Sequence, residues 1–148
     1  MNTLEAVLEA WKEDCQLPRG NLDEASRQTP ALHAKYLETL QYTKLRLKDA
    51  EMKQKILLKN KWLWYNGKMT QAQIEQLGWD YDPLDGLKIM KGEMDYYYDS
   101  DKEIQESELK IQYLKTMIDT LSDIVDALKW RHQTIGNMIK WKVFEAGG

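Results

Sequence analysis

The sequence predicts an all-α protein of long antiparallel helices, ending in a heptad-patterned C-terminal helix. Three observations lead there. Only three Pro and eight Gly occur in 148 residues. Between Pro30 and Gly67 the chain contains neither. Beyond residue 100, apolar residues recur at seven-residue spacing over several heptads, as in a coiled-coil seam.

The first helix is expected from about Asn2 to just before Pro18, with Asn2 as its cap and Glu5 three residues on. Pro18-Arg19-Gly20 reads as a turn. Asn21 with Glu24 repeats the capping pattern, and Thr29-Pro30 reads as a second start, with Thr as cap and Pro in the first helical position. From there Tyr36, Leu40, Leu47, Ala50, Leu57 and Trp64 recur near the helical period, and Gly67 is the expected stop. A helix of roughly 36 residues spans about 55 Å, so it needs an equally long partner.

That partner is expected to start at the Ser100–Glu103 capping box. Ile104, Ile111, Ile118 and Val125 take one heptad position, and Leu114, Leu121, Leu128 and Ile135 the companion position. Tyr113, Met117 and Ile124 widen the stripe. A helix with two apolar edges touches two neighbours. The stripe looks too wide for one partner within the chain, so a homo-oligomer is expected, held through Ile111, Leu114, Ile118, Leu121, Val125, Leu128 and Ile135. Between Thr70 and Asp99 the turn-rich run Trp79 to Gly86 suggests an ordered or partly ordered connector.

Several function classes have no support. Cys15 is the sole cysteine, so no internal disulfide is possible. The start of the chain lacks a basic segment followed by an apolar one, so no signal peptide is expected. No apolar run approaches a bilayer-spanning length, and a reducing cytoplasm is the default. His33 and His132 are far apart and neither lies near Cys15, which argues against zinc. Asp80, Asp82 and Asp85-Gly86 faintly suggest a calcium loop, but Pro83 and Leu84 fill its middle and Lys91 stands at its twelfth place. No Gly-rich phosphate loop or nucleophile–base pair is present, so neither an enzyme nor a cofactor is expected.

The charge pattern carries more. The net charge is −3. Residues 44 to 68 hold eight Lys or Arg against two acids, a local +6, whereas residues 75 to 108 hold eleven acids against three Lys, a local −8. Within the basic segment, Lys48, Lys55, Lys59, Lys61 and Lys68 crowd against Trp62, Trp64 and Tyr65. Proteins that bind single strands combine cations for phosphates with flat rings on which unstacked bases lie. The competing interpretation is a solvated lysine face with its tryptophans in the core, on a structural coiled-coil assembly protein that binds no nucleic acid. The heptads suit both; the basic-aromatic cluster suits only the DNA binder. The expected organisation is a single structural domain, with residues 1–99 as a helical single-stranded-DNA-binding region and residues 100–148 as the oligomerisation helix.

Three stretches resemble the UvsY recombination mediators of T-even-type phages. They are Pro30-Ala31-Leu32-His33-Ala34-Lys35-Tyr36-Leu37, then Leu58-Lys59-Asn60-Lys61 followed by Tyr65-Asn66-Gly67-Lys68, and the ending Phe144-Glu145-Ala146-Gly147-Gly148. The resemblance covers nearly the whole chain, is firmest from about residue 20 to 68 and over the last twenty residues, and is weakest from 70 to 100. It implies an all-helical protein that forms a ring of six or seven subunits through its C-terminal helix. It also implies binding to single-stranded DNA, contact with the phage single-strand-binding protein, and loading of a RecA-like recombinase in the cytoplasm of the infected bacterial host. The family's DNA-binding pair falls on Lys59 and Lys61, with Lys61 where Arg is familiar; an ammonium lacks Arg's planar fork. Trp62 and Trp64 are bulkier than the family norm. Residues two apart point about 200° from each other on a helix. Lys59 and Lys61 are therefore expected to act from two sides of a groove between protomers, or after the helix frays near Gly67.

Overall fold

The computed structural model describes residues 1–147. Among them it contains five helices and no strand: α1 (Leu4–Asp14), α2 (Leu22–Tyr65), α3 (Gln71–Leu77), α4 (Met94–Ser100) and α5 (Lys102–Glu145). Helices α2 and α5 have 44 residues each, about 66 Å at 1.5 Å per residue. The chain folds into two compact units. One joins Met1–Arg46 to the residues from Tyr113 onward, and the other is Leu47–Gln112.

In the first unit, α5 lies between two apolar neighbours. Its buried residues Met117, Leu121, Ile124, Val125 and Leu128 form one cluster with Val7 of α1 and with Tyr36 and Leu40 of α2. Trp11 packs edge-on against the Tyr36 ring, with centroids 5.6 Å apart. Farther along, Ile135 meets Leu22 and Ala25, so rising numbers on α2 pair with falling numbers on α5 and the helices run antiparallel. Polar ties complete the joint. The Tyr113 hydroxyl accepts from the Leu4 N–H and donates to Glu5, each at 2.8 Å. The Tyr36 hydroxyl and the Lys35 ammonium both reach Asp14 Oδ2 at 2.8 Å.

In the second unit, Gln54 donates to Glu108 at 2.9 Å and Lys61 meets Glu103, again an antiparallel pairing. The connector is ordered. Thr70 and Gln73 cap α3 reciprocally, and Gly78, at φ +71°, ends it in a left-handed turn. Gly67 stops α2 as expected: at φ +68° it lets the Lys68 N–H reach the Leu63 carbonyl at 2.8 Å.

Several boundaries differ from the sequence expectation. Thr3, not Asn2, caps α1, its hydroxyl accepting from the Ala6 N–H. Helix α2 starts at Leu22 and passes through Pro30, so Thr29 donates to the Ala25 carbonyl instead of capping a new helix. Burial of Leu22 and Ala25 against Ile135 draws residues 22–29 into the helix, against proline's missing N–H. Ser100 closes α4; Asp101 caps α5 by accepting from the Ile104 N–H at 3.0 Å.

The larger correction concerns the heptad positions. Ile111, Leu114, Leu121, Val125, Leu128 and Ile135 are buried within the single chain, and Ile118 is partly buried against the cluster that holds Leu121, Val125 and Leu128. Leu121, Val125, Leu128 and Ile118 pack with residues of α1 and α2, and Ile135 with Leu22 and Ala25, so neighbours within the chain already cover these positions. Replacing Leu121, which is 0% exposed, by Ala is expected to lower unfolding stability by about 2–5 kcal/mol through a partly unfilled cavity. Exposed Leu109 changed to Ala is expected to shift it by less than about 0.5 kcal/mol; urea denaturation followed by circular dichroism distinguishes the two.

Candidate nucleic-acid interface

The C-terminal half of α2 has two unlike faces. Taking about 100° per residue, Lys48, Lys55, Lys59 and Trp62 fall within an arc of about 60°. The three lysines are exposed, and with Lys68 they form no ion pair among the described residues. Trp62 is 40% exposed. Beyond the Gly67 turn the chain folds back, which sets the Lys68 ammonium 4.6 Å from the centre of the Trp62 ring. Lys53, on another face, is tied to Asp49 at 2.9 Å. The result is a row of unneutralised cations ending on an accessible indole.

The opposite face carries a closed polar network. Lys61 is only 3% exposed. Its ammonium lies 3.1 Å from Asp101 and 3.3 Å from Glu103, and sits 4.6 and 4.1 Å from the ring centres of Trp64 and Trp79. Trp79 donates its indole N–H to Glu103 at 2.7 Å, and Trp64 donates to the Asp80 carbonyl at 2.8 Å. The Tyr65 hydroxyl donates to Asp101 at 2.6 Å. The rings of Trp64 and Tyr65 pack at a tilt against each other, Trp64 also against Trp79 and Tyr65 against Tyr97. Burying an ion pair in this way is expensive, and removing one partner of such a pair costs about 3–5 kcal/mol.

The electrostatics follow from the contacts. Burial pushes the Asp101 carboxyl up, but the Tyr65 hydroxyl, the Ile104 N–H and Lys61 outweigh it and hold the group below its ordinary value. Burial, then the hydrogen bond to anionic Asp101, pushes the Tyr65 phenol well above its usual range. Asp14 and Tyr36 repeat the arrangement in the other unit.

Of the expected DNA-binding residues, the structure brings Lys48, Lys55, Lys59, Trp62 and Lys68 to one accessible stretch. It withdraws the other three. Lys61 is committed to carboxylates, and Trp64 and Tyr65 are half-buried with their polar atoms engaged. Helix α2 runs without a break to Tyr65, with Lys61 inside it. The 200° separation of Lys59 and Lys61 is resolved by one facing solvent and the other the interior. Asp101, Glu103 and Trp79 were missed because their roles depend on partners far along the chain. The visible signal was that Lys61 and Tyr65, four apart, share the face turned away from the lysine row.

Comparison with known proteins bears on the family and the fold. A family model described as recombination, repair and ssDNA binding protein UvsY matches residues 10–148. The recombination protein uvsY of Enterobacteria phage T4 is 25% identical over 144 residues, spanning 97% of this chain and 98% of that protein. Crystal structures of the bacteriophage T4 recombination mediator protein UvsY share the fold. One superposes with a TM-score of 0.80 at 24% identity over 97% of both chains, and a second with 0.79 at 23% over 95% of this chain and 98% of that one.

A pH prediction follows from Asp101. A carboxyl whose folded value lies below its unfolded value stabilises the fold above that unfolded value, near 3.8, and the contribution is lost as pH falls through the lower folded value. Asp101→Asn keeps the cap but loses the charge. It is expected to be less stable than the wild type at pH 7, with the gap narrowing below pH 3.8. Thermal melts between neutral and acid pH measure this; a constant gap would show that the charge of Asp101 contributes nothing.

Proposed function

The chain belongs to the UvsY family of recombination, repair and single-stranded-DNA-binding proteins, and on that premise we propose that it is a recombination mediator. It binds single-stranded DNA along the Lys48, Lys55, Lys59, Trp62 and Lys68 stretch. In the cytoplasm of the infected bacterial host it helps a RecA-like recombinase load onto DNA covered by the phage single-strand-binding protein. The observation that carries the proposal is the row of unpaired lysines on α2 ending at an accessible indole. Cations neutralise phosphates and release counterions, while a ring offers a sequence-tolerant stacking platform.

Binding by one protomer through four lysines is weak at physiological salt. We propose that the chain self-assembles, so that several copies engage one strand; such avidity adds roughly 10²–10⁴. The surface for this lies at the end of α5, where Ile139, Trp141, Val143 and Phe144 are exposed and the Trp141 and Phe144 rings meet edge-on at 5.7 Å.

Two measurements test these statements. Changing Lys55 and Lys59 to Ala is expected to weaken oligonucleotide binding for all sequences and to flatten the plot of log affinity against log salt by about 0.7 for each phosphate no longer neutralised, whereas Lys53→Ala leaves that slope as it was. A double variant with unaltered slope points instead to a structural assembly protein. The wild type is expected to sediment as an oligomer at micromolar concentration, and the Trp141→Ala, Phe144→Ala variant as a folded monomer. A monomeric wild type would rule out assembly.

A further inference from the structure

We infer that Lys61 is a positioning residue of the DNA-binding face. Held by Asp101 and Glu103, it sets the last turn of α2 so that Trp62 and Lys68 meet the strand, and it touches no phosphate itself. The inference rests on the DNA-binding function proposed above. It reverses the part that position 61 would take if Lys59 and Lys61 both met the strand directly.

Three observations carry it. First, a phosphate reaching Lys61 must displace two carboxylates and two indole faces from an ammonium that is nearly sealed from solvent. Second, Lys61 and Tyr65, one turn apart, both bind Oδ2 of Asp101, while Oδ1 of the same residue caps α5. The rotation of the last turn of α2 about its axis is thereby tied to the start of α5. Trp62 belongs to that turn, and Lys68 reaches its ring through the Gly67 reversal that follows. Third, a buried ion pair is seldom better for stability than apolar side chains of equal volume, but it holds one geometry. Here that geometry lies on the face of α2 behind the row that ends at Trp62.

The test uses salt titrations of single-stranded oligonucleotide binding on the full-length protein, with the Lys55→Ala, Lys59→Ala variant as reference. Glu103→Ala removes a negative charge and an acceptor shared by Lys61 and Trp79. Electrostatics alone makes this variant bind tighter. Loss of positioning makes it bind weaker by about tenfold, the worth of one base–aromatic stack, with the wild-type salt slope. Lys61→Met is expected to behave likewise; should it fail to fold, Glu103→Ala still decides. A slope flattened by about 0.7 in Lys61→Met marks a phosphate bound directly by Lys61 and overturns the inference. So does tighter binding by Glu103→Ala, and so does unchanged affinity with only a lowered melting temperature. If the reference variant keeps both affinity and slope, the DNA-binding function itself fails on this face and the inference falls with it. Normal reference behaviour alongside an unaffected Glu103→Ala removes the inference alone.

Discussion

The fold depends on covering both edges of one helix. Around α5 the buried side chains run from Ile124 and Met117 through Leu128 and Leu121 to Val125, an arc of about 100°, and it is shared between two neighbouring helices. In the first unit α1 supplies Val7 and α2 supplies Tyr36 and Leu40, and together they close it. The short α1 therefore has a structural task out of proportion to its 11 residues. At the far end of α5, Trp141 and Phe144 are exposed and their rings meet each other edge-on.

Burial alone sets no register between long helices, and in each unit a carboxylate contributes it. Asp14 closes α1 and collects Lys35 and Tyr36 from α2, while its carbonyl accepts from Arg131 at 2.8 Å. Asp101 opens α5 and collects Lys61 and Tyr65. Both carboxyls are held ionised below their ordinary range, and both phenols are pushed above theirs. A charge in a low-dielectric site is costly when misplaced, so each cluster penalises sliding or rotation that apolar packing would tolerate.

The same logic sorts the basic segment. Its +6 excess is compositional, and tertiary packing decides which charges remain available. Lys53 goes to Asp49 and Lys61 to the start of α5, whereas Lys48, Lys55, Lys59 and Lys68 stay unpaired. Two lysines are thus tied to carboxylates and four carry no ion pair among the described residues, although all six stand within the same short stretch. The indoles divide likewise: Trp62 faces out, and Trp64 packs at a tilt against Tyr65 and Trp79.

The sequence by itself determined the all-helical class, the stop of α2 at Gly67, and which face of α5 is apolar. These follow from periodicity, glycine at a left-handed cap and the absence of helix breakers, and all are local properties. It also marked residues 44 to 68 as the charged stretch. Tertiary structure decided the rest. Leu22 and Ala25 reach Ile135 and carry α2 through Pro30, although the local Thr-Pro pattern argued for a start there. Asp101, not Ser100, caps α5, because the same carboxylate also answers Lys61 and Tyr65. Lys59 and Lys61 look alike in sequence and point opposite ways in space. A helix fixes the angle between two side chains, but only the neighbours packed against it decide which of them meets solvent.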